Sequence, residues 1–390
     1  VTDLPDVIQS RRRPAWIERL VSTDFMNQPS QPDLQAGATV IASRPQPLVW
    51  VISGYRAGET TQLLALAEAL GWPFEVKELR HRRWDFVPGL LRLSSLAGIE
   101  KAAREDLRAP WPDLVISAGM RNEPLARWIK DRAGGECRLV NVGRPWAGFD
   151  HFDLVITTPQ YRLPERPNIL QNIGTMHLFT DHALAAAARR WKPEFEHLPG
   201  PYIGVLIGGH SGPYTLGPAA ARRLAVAAGR LAREMEGSLL ATTSSRTSAA
   251  ATEAFAGALD CPHYLFRWSP DSIQNPYQGI LATADLLIVT SDTVSMISEA
   301  VGTGKPVFVF DLDGDDDFRL GALFYRLLMR VGHPRLTRDL ELFHRRLTET
   351  GRAAWLGESL SKVRSEPLDD LARAVTRVKA LVTSRDSRNA

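Results

Sequence analysis

Cysteine is nearly absent: Cys137 and Cys261 are the only two in 390 residues, far apart and outside any C-x-x-C pair. That excludes a disulfide framework and a cysteine-rich zinc site, and it suits a reducing compartment. Long apolar runs are missing as well. No stretch approaches the roughly 20 apolar residues that span a bilayer, and the opening VTDLPDVIQSRRRPAW lacks the apolar core of a signal peptide. The expected location is therefore the cytosol, including a peripheral place on the cytoplasmic face of the inner membrane. Charge of one sign is lacking too, since 47 basic and 44 acidic residues are dispersed and leave a net charge of +3. No basic stripe interleaved with aromatics stands out, so nucleic acid is not an expected partner. The nine histidines form no H-E-x-x-H pair, and no G-x-S-x-G elbow is present, so zinc-protease and serine-hydrolase chemistry find no support.

What is there is an ordinary globular composition, 44% hydrophobic and 23% charged, in a chain long enough for two cores. Residues 1–46 are rich in Pro, Gln, Ser and Arg and read as a partly ordered N-terminal extension. Within it Arg11, Arg12 and Arg13 beside Trp16 offer either a contact with anionic lipid or a solvated tail. Residues 47–195 are expected to form one Rossmann-like domain and residues 196–340 a second, with PEFEHLPGP (193–201) as hinge. Residues 341–390 read as C-terminal helices and a polar tail.

The first regular element is the apolar run Leu48 to Ser53, followed by GYRAGETTQ and a helix, LLALAEALG, that stops at Gly71. Strand, glycine loop and helix open a dinucleotide-binding domain in the same way. The spacing is not G-x-G-x-x-G, however, and the second strand, Phe74 to Leu79, runs into Arg80, His81, Arg82 and Arg83 rather than an acidic ribose partner. NAD is accordingly not an expected cofactor. Residues 81–96, HRRWDFVPGLLRLSSL, mix basic, aromatic and aliphatic side chains, as a segment lying on a membrane does and as a helix packed on the domain with arginines outward also does. Three segments repeat one pattern: Asp113-Leu-Val-Ile-Ser, Asp153-Leu-Val-Ile-Thr and Asp285-Leu-Leu-Ile-Val-Thr. Each reads as a buried parallel strand ending at a hydroxyl residue, with a functional loop after it at 118–124, 158–168 and 291–295.

The second half opens on Tyr202 to Ile207 and then GGHSGPYTLG, where Gly208, Gly209 and Gly212 let backbone approach a diphosphate closely or simply make a tight turn; with Gly208 and Gly209, His210 and Ser211 are candidate ligand contacts. After the strand Ser238 to Thr242 comes Ser244-Ser245-Arg246-Thr247, whose arginine is either a phosphate ligand or a surface charge. The stretch 284–310 reads as strand, turn, helix, glycine turn and strand. Ser291, Asp292 and Thr293 are all N-cap types, so the helix start is a candidate anion site. Ser295 and Glu299 share the helix face of that cap, which places a carboxylate one turn in, where ribose hydroxyls could reach it. A plain βαβ turn with a capped helix and a surface glutamate fits the same pattern.

NPYQGILATADLLIVTSDTVSMISEAVGTGKPVFVF, residues 275–310, resembles the signature of the mitochondrial-fission Elm family, whose bacterial members are described as glycosyltransferases of the two-domain GT-B fold. GGHSGPY and TTSSRTS resemble Elm-family segments in the correct order. More distantly, the stretch is similar to the donor half of the lipid-linked sugar transferases of peptidoglycan and lipid A synthesis. The resemblance implies that Glu299 sits on the ribose and that Ser291 to Ser295 lie near the diphosphate. The family's first glycine loop carries glycines, a histidine and a closing glutamine; Gly54, Gly58 and Gln62 match, but Glu59 stands at the histidine position.

Asp311, Asp313, Asp315, Asp316 and Asp317 invite a metal, but an EF-hand would need glycine and glutamate where Asp316 and Ala322 stand. The Asp311-Leu-Asp313 D-x-D follows two α/β halves rather than sitting mid-chain in one nucleotide-binding domain, so a loop edging the donor pocket is expected and no metal is assigned. The expected fold is α/β, two Rossmann-like domains facing across a cleft. The expected function is glycosyl transfer, without a cofactor, from a nucleotide-diphosphate sugar to a cell-envelope, lipid-linked or other saccharide acceptor. Glu59 is the candidate base, with Glu123 and His81 in reserve. The alternatives are a non-catalytic membrane-associated adaptor of the mitochondrial-fission type and a nucleotide-sugar epimerase, against which the missing NAD fingerprint argues.

Overall fold

The computed structural model describes residues 46–386 apart from 54–55, 83, 313–319, 333–334 and 336. The expected extension up to residue 45, Gly54, Arg83, and Asp313, Asp315, Asp316 and Asp317 lie outside the described residues.

Short, continuous apolar runs make the strands, because a parallel sheet covered by helices on both faces buries every position. Strand β1 (Val49–Ile52) is VWVI and fully buried. It sits second in a six-stranded, all-parallel sheet with β2 (Phe74–Lys77), β3 (Leu114–Ala118), β4 (Arg138–Val142), β5 (Leu154–Thr157) and β6 (Ile169–Gln171), in the order β2-β1-β3-β4-β5-β6. The second sheet is built alike from β7 (Tyr202–Leu206), β8 (Ser238–Thr242), β9 (His263–Phe266), β10 (Leu286–Thr290), β11 (Val307–Phe310) and β12 (Ala354–Trp355), in the order β12-β11-β10-β7-β8-β9. All ten strand pairings are parallel.

The aspartate that precedes each repeated strand has a common role. Asp113 Oδ2 accepts from the Leu48 amide at 3.0 Å, Asp153 Oδ2 from Leu139 at 2.7 Å and Asp285 Oδ2 from Tyr202 at 2.7 Å. Each therefore ties the start of its own strand to the start of the neighbour.

In each sheet the strand order reverses once, between β1 and β3 and between β7 and β10. Ligands of doubly wound sheets bind outside the carboxyl ends of the strands at such a switch point. The helix start after β1 carries Glu59 and the loop after β3 carries Asn122; the connections after β7 and β10 carry the glycine loop and Ser291 to Thr293. The fold thus brings the two sets of sequence candidates to the two places where this architecture holds ligands.

Helix α1 (Ala57–Leu70) follows β1, α2 (Phe86–Leu90) precedes β3, and α3 (Glu123–Arg132) joins β3 to β4. Two further helices cross between the halves. Helix α4 (Asp181–Phe195) lies within the expected first domain, yet Trp191 and Phe195 are buried in the core of the second sheet. A late helix, Asp370–Asp386, returns to pack Ala374, Val378 and Val382 into the first core beside Leu63 and Leu66. Together with β12, which pairs with β11 beyond residue 340, this moves the boundaries: the second unit takes in α4 and β12, and the first takes in the last helix. The remaining helices are α5 (Pro218–Glu234), α6 (Ala249–Ala256), α7 (Tyr277–Thr283), α8 (Val294–Gly302), α9 (Leu320–Val331) and α10 (Leu340–Glu349), which makes the last one α11. Among the described residues no helix is long and apolar enough to cross a membrane.

Candidate active site between the two sheets

A cavity of about 540 Å³ lies at the carboxyl ends of the first sheet and is closed from the other side by Tyr325, Arg335, Thr337 and Arg338. Glu59 lines it from the third position of α1, half-buried, and its carboxylate accepts from the Arg56 amide at 3.4 Å. The same carboxylate lies against Gly119 at the end of β3, where φ is 81° and a Cβ would stand 3.1 Å from Oε2. A side chain at 119 would be strained and would crowd the glutamate, so glycine is required there.

Four buried side-chain atoms of residues lining this cavity have no hydrogen-bond partner among the described residues: Asn122 Oδ1, Thr157 Oγ1, Gln160 Oε1 and Asn172 Oδ1. Unpartnered buried polar atoms are rare, and each calls for a ligand or a water. The cavity also carries a surplus of positive charge, with Arg56, Arg121, Arg144, Arg335 and Arg338 against the carboxylate of Glu59. Burial, reinforced by neighbouring Arg162 and Arg335, pushes Arg144 below its ordinary value. The cavity therefore suits a ligand rich in hydroxyls and carrying negative charge.

The two reserve bases are placed otherwise. Glu123 is 1% exposed, and both its oxygens are taken, Oε2 by the Trp146 amide at 2.6 Å and Oε1 by Ala147 at 2.7 Å. Burial raises its pKa against those two bonds, but a carboxylate that anchors a loop in this way does not reach an acceptor, and Glu123 is withdrawn as a base. His81 Nδ1 lies 3.1 Å from Asp85 Oδ2 beneath the loop carrying Arg121, and burial lowers its pKa. It does not line the cavity.

At the second switch point the predicted phosphate ligands are largely structural. Ser291 is fully buried, and its hydroxyl accepts from the Leu312 amide at 3.1 Å. Asp292 turns away from the helix and accepts from Gly209 N at 2.9 Å and Thr290 Oγ1 at 2.6 Å; the Arg246 guanidinium stands 3.0 Å from it. Burial pushes its pKa up against the pull of Arg246. Thr293 is the N-cap of α8, accepting from Met296 N at 3.5 Å. All three side chains are thus engaged within the protein, where they hold the loops of the second switch point. A Cβ at Gly208 would fall on the Asp292 carboxylate and one at Gly209 on the Arg246 carbonyl, which is why that loop is glycine. His210 Nδ1 accepts from Leu216 N at 3.2 Å, so in the neutral ring Nε2 carries the proton.

What remains accessible at this point is His210 and Ser211 on the glycine loop, Ser245 and Arg246 after β8, and Ser295 and Glu299 on α8. Arg338 Nη2 lies 3.5 Å from Ser211 Oγ and joins this surface to the cavity. Glu299 is half-buried, accepts a hydrogen bond from the Tyr277 hydroxyl, and is pushed up to about 7 by burial. A carboxyl group poised near neutrality is a functional candidate. Tyr277, Gln160, Asn172 and the cavity arginines escaped the sequence reading. Gln160 and Asn122 nevertheless fall in two of the loops expected after the Asp-headed strands.

Residues 57–382 match the sequence profile of the family Mitochondrial fission ELM1. The chain belongs to that family. A curated ELM1 relative, mitochondrial fission protein ELM1 of Arabidopsis thaliana, is 27% identical over 317 residues, covering 75% of this chain and 69% of the relative. Among solved structures the ELM1-family chain is similar to MurG of Acinetobacter baumannii, with TM-score 0.40 and 13% identity over 88% of this chain and 94% of that one. It is also similar to the UDP-GlcNAc 2-epimerase of Neisseria meningitidis bound to UDP-GlcNAc, with TM-score 0.45 and 12% identity over 86% of this chain and 100% of that one. Scores this low leave the fold of the ELM1-family chain to be argued from its own two parallel sheets, which are α/β and Rossmann-like, with residues of both halves lining the cavity.

Proposed function

We propose that this ELM1-family chain is a glycosyltransferase that holds a nucleotide-diphosphate sugar at the switch point of the second sheet and a saccharide acceptor in the cavity of the first. The observation that carries this reading is the cavity itself, where four unpartnered buried polar atoms belong to residues that line the same space as Glu59. Amide and hydroxyl oxygens in need of partners suit sugar hydroxyls, and the arginines suit an acceptor that also bears an anionic group. Glu59 takes the proton of the acceptor hydroxyl as its oxygen bonds to the anomeric carbon. The bond from that carbon to the diphosphate breaks, and the electron pair leaves with the nucleotide. Arg246, oriented by Asp292, and the start of α8 offset charge on the departing diphosphate. Glu299 accepts from the ribose hydroxyls.

The runner-up is a non-catalytic membrane-associated adaptor, favoured by the name of the Arabidopsis relative. An adaptor has no need of a hydroxyl-seeking cavity.

The test is nucleotide release from a panel of nucleotide-diphosphate sugars with saccharide and lipid-linked acceptors. Glu59→Gln should abolish release while nucleotide affinity stays within about twofold, whereas Glu299→Ala should weaken the nucleotide by about tenfold or more, the loss of one or two charge-assisted hydrogen bonds. Equal loss of nucleotide binding in both variants would sink this division of roles. Conversion of the donor sugar without any acceptor would give the molecule to the epimerase reading.

A further inference from the structure

Helix α9 (Leu320–Val331) has two apolar faces, and the body of the protein covers only one. Ala322 is buried and Tyr325 and Met329 half-buried on the inner side. At about 100° per residue, Leu320, Leu323, Phe324, Leu327 and Val331 fall on a single stripe on the opposite side. All five are exposed, from 53% at Leu327 to 77% at Val331. An outward stripe of five large apolar side chains on one short helix is more than the scattered exposure normal for a surface.

A second exposed apolar group lies around α2: Trp84, Phe86, Leu90, Leu91 and Leu93. Both groups border the mouth of the same cavity. Leu90 O accepts from Trp146 Nε1 at 3.3 Å, the Arg335 guanidinium lies 5.8 Å from the centre of the Trp146 ring, and Trp146, Arg335 and Tyr325 all line the cavity.

Charge identifies the occupant. From 320 to 338 the chain carries Arg326, Arg330, Arg335 and Arg338 and no acidic residue. From 80 to 93 it carries Arg80, Arg82, Arg83 and Arg92, and the one carboxylate, Asp85, is buried against His81 and Arg121. On α9, Arg326 and Arg330 lie along one edge of the apolar stripe, where Arg330 would reach the headgroups of a surface that the stripe enters. An apolar stripe edged with arginine and free of carboxylate is the pattern of a helix lying in an anionic bilayer interface.

We propose that the outer stripe of α9, together with the apolar group around α2, seats the protein on an anionic lipid surface with the mouth of the cavity turned towards the membrane. This extends a membrane contact from the segment 81–96, which contains α2, to α9 on the other half of the molecule. It does not depend on glycosyl transfer, because the readout is binding alone.

The test is co-sedimentation of the full chain with phosphatidylcholine vesicles and with vesicles that also contain phosphatidylglycerol, at low and high salt. The expected result is binding to the anionic vesicles, weakened by salt, and reduced at least about tenfold in the double variant Leu323→Asp, Leu327→Asp. Those side chains are exposed, so the variant should unfold at the same temperature as the parent, which separates lost docking from lost folding. Absence of binding by the parent chain, or equal binding by the double variant, would overturn the proposal. So would a gel-filtration dimer that the double variant converts to a monomer without any change on vesicles, since the stripe would then be an interface between two copies. A Phe86→Asp, Leu90→Asp variant that binds as the parent does would remove α2 from the contact and overturn the two-sided form of the proposal.

Discussion

Glu299 carries an ionisable group near neutrality where the unbound protein gains nothing from its charge. Burial raises its folded pKa from the ordinary 4.5 to about 7, with the Tyr277 hydroxyl pulling the other way. A carboxyl group whose pKa is raised by folding contributes stability below its unfolded pKa, and that contribution is lost as pH rises through the folded value. The window is pH 4.5 to 7. Glu299→Gln, which keeps an oxygen for Tyr277, should therefore be more stable than the parent at pH 8 by about 1–3 kcal/mol in urea unfolding, with the gap closing below about pH 5. A gap independent of pH would show that the carboxylate is not the strained group. The same substitution should weaken nucleotide binding, as expected of a site that trades stability for function. Glu299 and Glu59 were legible because each follows a strand, a loop and a helix start. Glu123 has the same credentials in sequence, and nothing local shows that the amides of Trp146 and Ala147, more than twenty residues on, occupy its carboxylate.

At the scale of the element, the three Asp-headed strands were legible as buried strands, and β3, β5 and β10 stand there. The job of the aspartates was not, because the partner of each is the start of a neighbouring strand chosen by the strand order. Asp285→Ala removes the acceptor of the Tyr202 amide at the entrance to the second sheet, and an unfolding loss of about 1–3 kcal/mol is expected in denaturant titration. The loops after β7, β8 and β10 are likewise knitted by one side chain. Asp292 joins Gly209, Thr290 and Arg246, and Gly208 N donates to Thr290 Oγ1 at 2.9 Å. Asp292→Ala leaves these groups unmatched in a buried place and should cost about 2–4 kcal/mol, the lower end reflecting the partly exposed Arg246. The sequence reading saw Asp292 as a cap because its neighbours have cap chemistry. Thr293 won that position, and the aspartate was drawn to the glycine loop of a distant strand.

For the whole molecule, two parallel sheets could be foreseen from length and from the repeated strand pattern, but the exchange of helices could not, since helix periodicity carries no address. Asp370 accepts from the amides of Ile173 and Gly174 at 3.0 and 2.6 Å, and Ser298 Oγ accepts from Thr175 at 2.9 Å, so the start of α11 and helix α8 both fasten the segment between the sheets. A chain cut after residue 366 loses α11 from the first core. Its α1 amides should lose protection in hydrogen exchange while those of β7 and β10 keep theirs; uniform loss across both sheets would contradict the asymmetry. The two facing switch points are the centre of the account, and the most direct measurement is thermal unfolding with UDP, GDP, CMP, TDP and ADP, each at millimolar concentration. A ligand at about 100 times its dissociation constant adds about 2.7 kcal/mol, a readable shift. One nucleotide should stand out, with the shift kept in Glu59→Gln and lost in Glu299→Ala. No shift with any nucleotide, or one that survives Glu299→Ala unchanged, would contradict a nucleotide held at the second switch point.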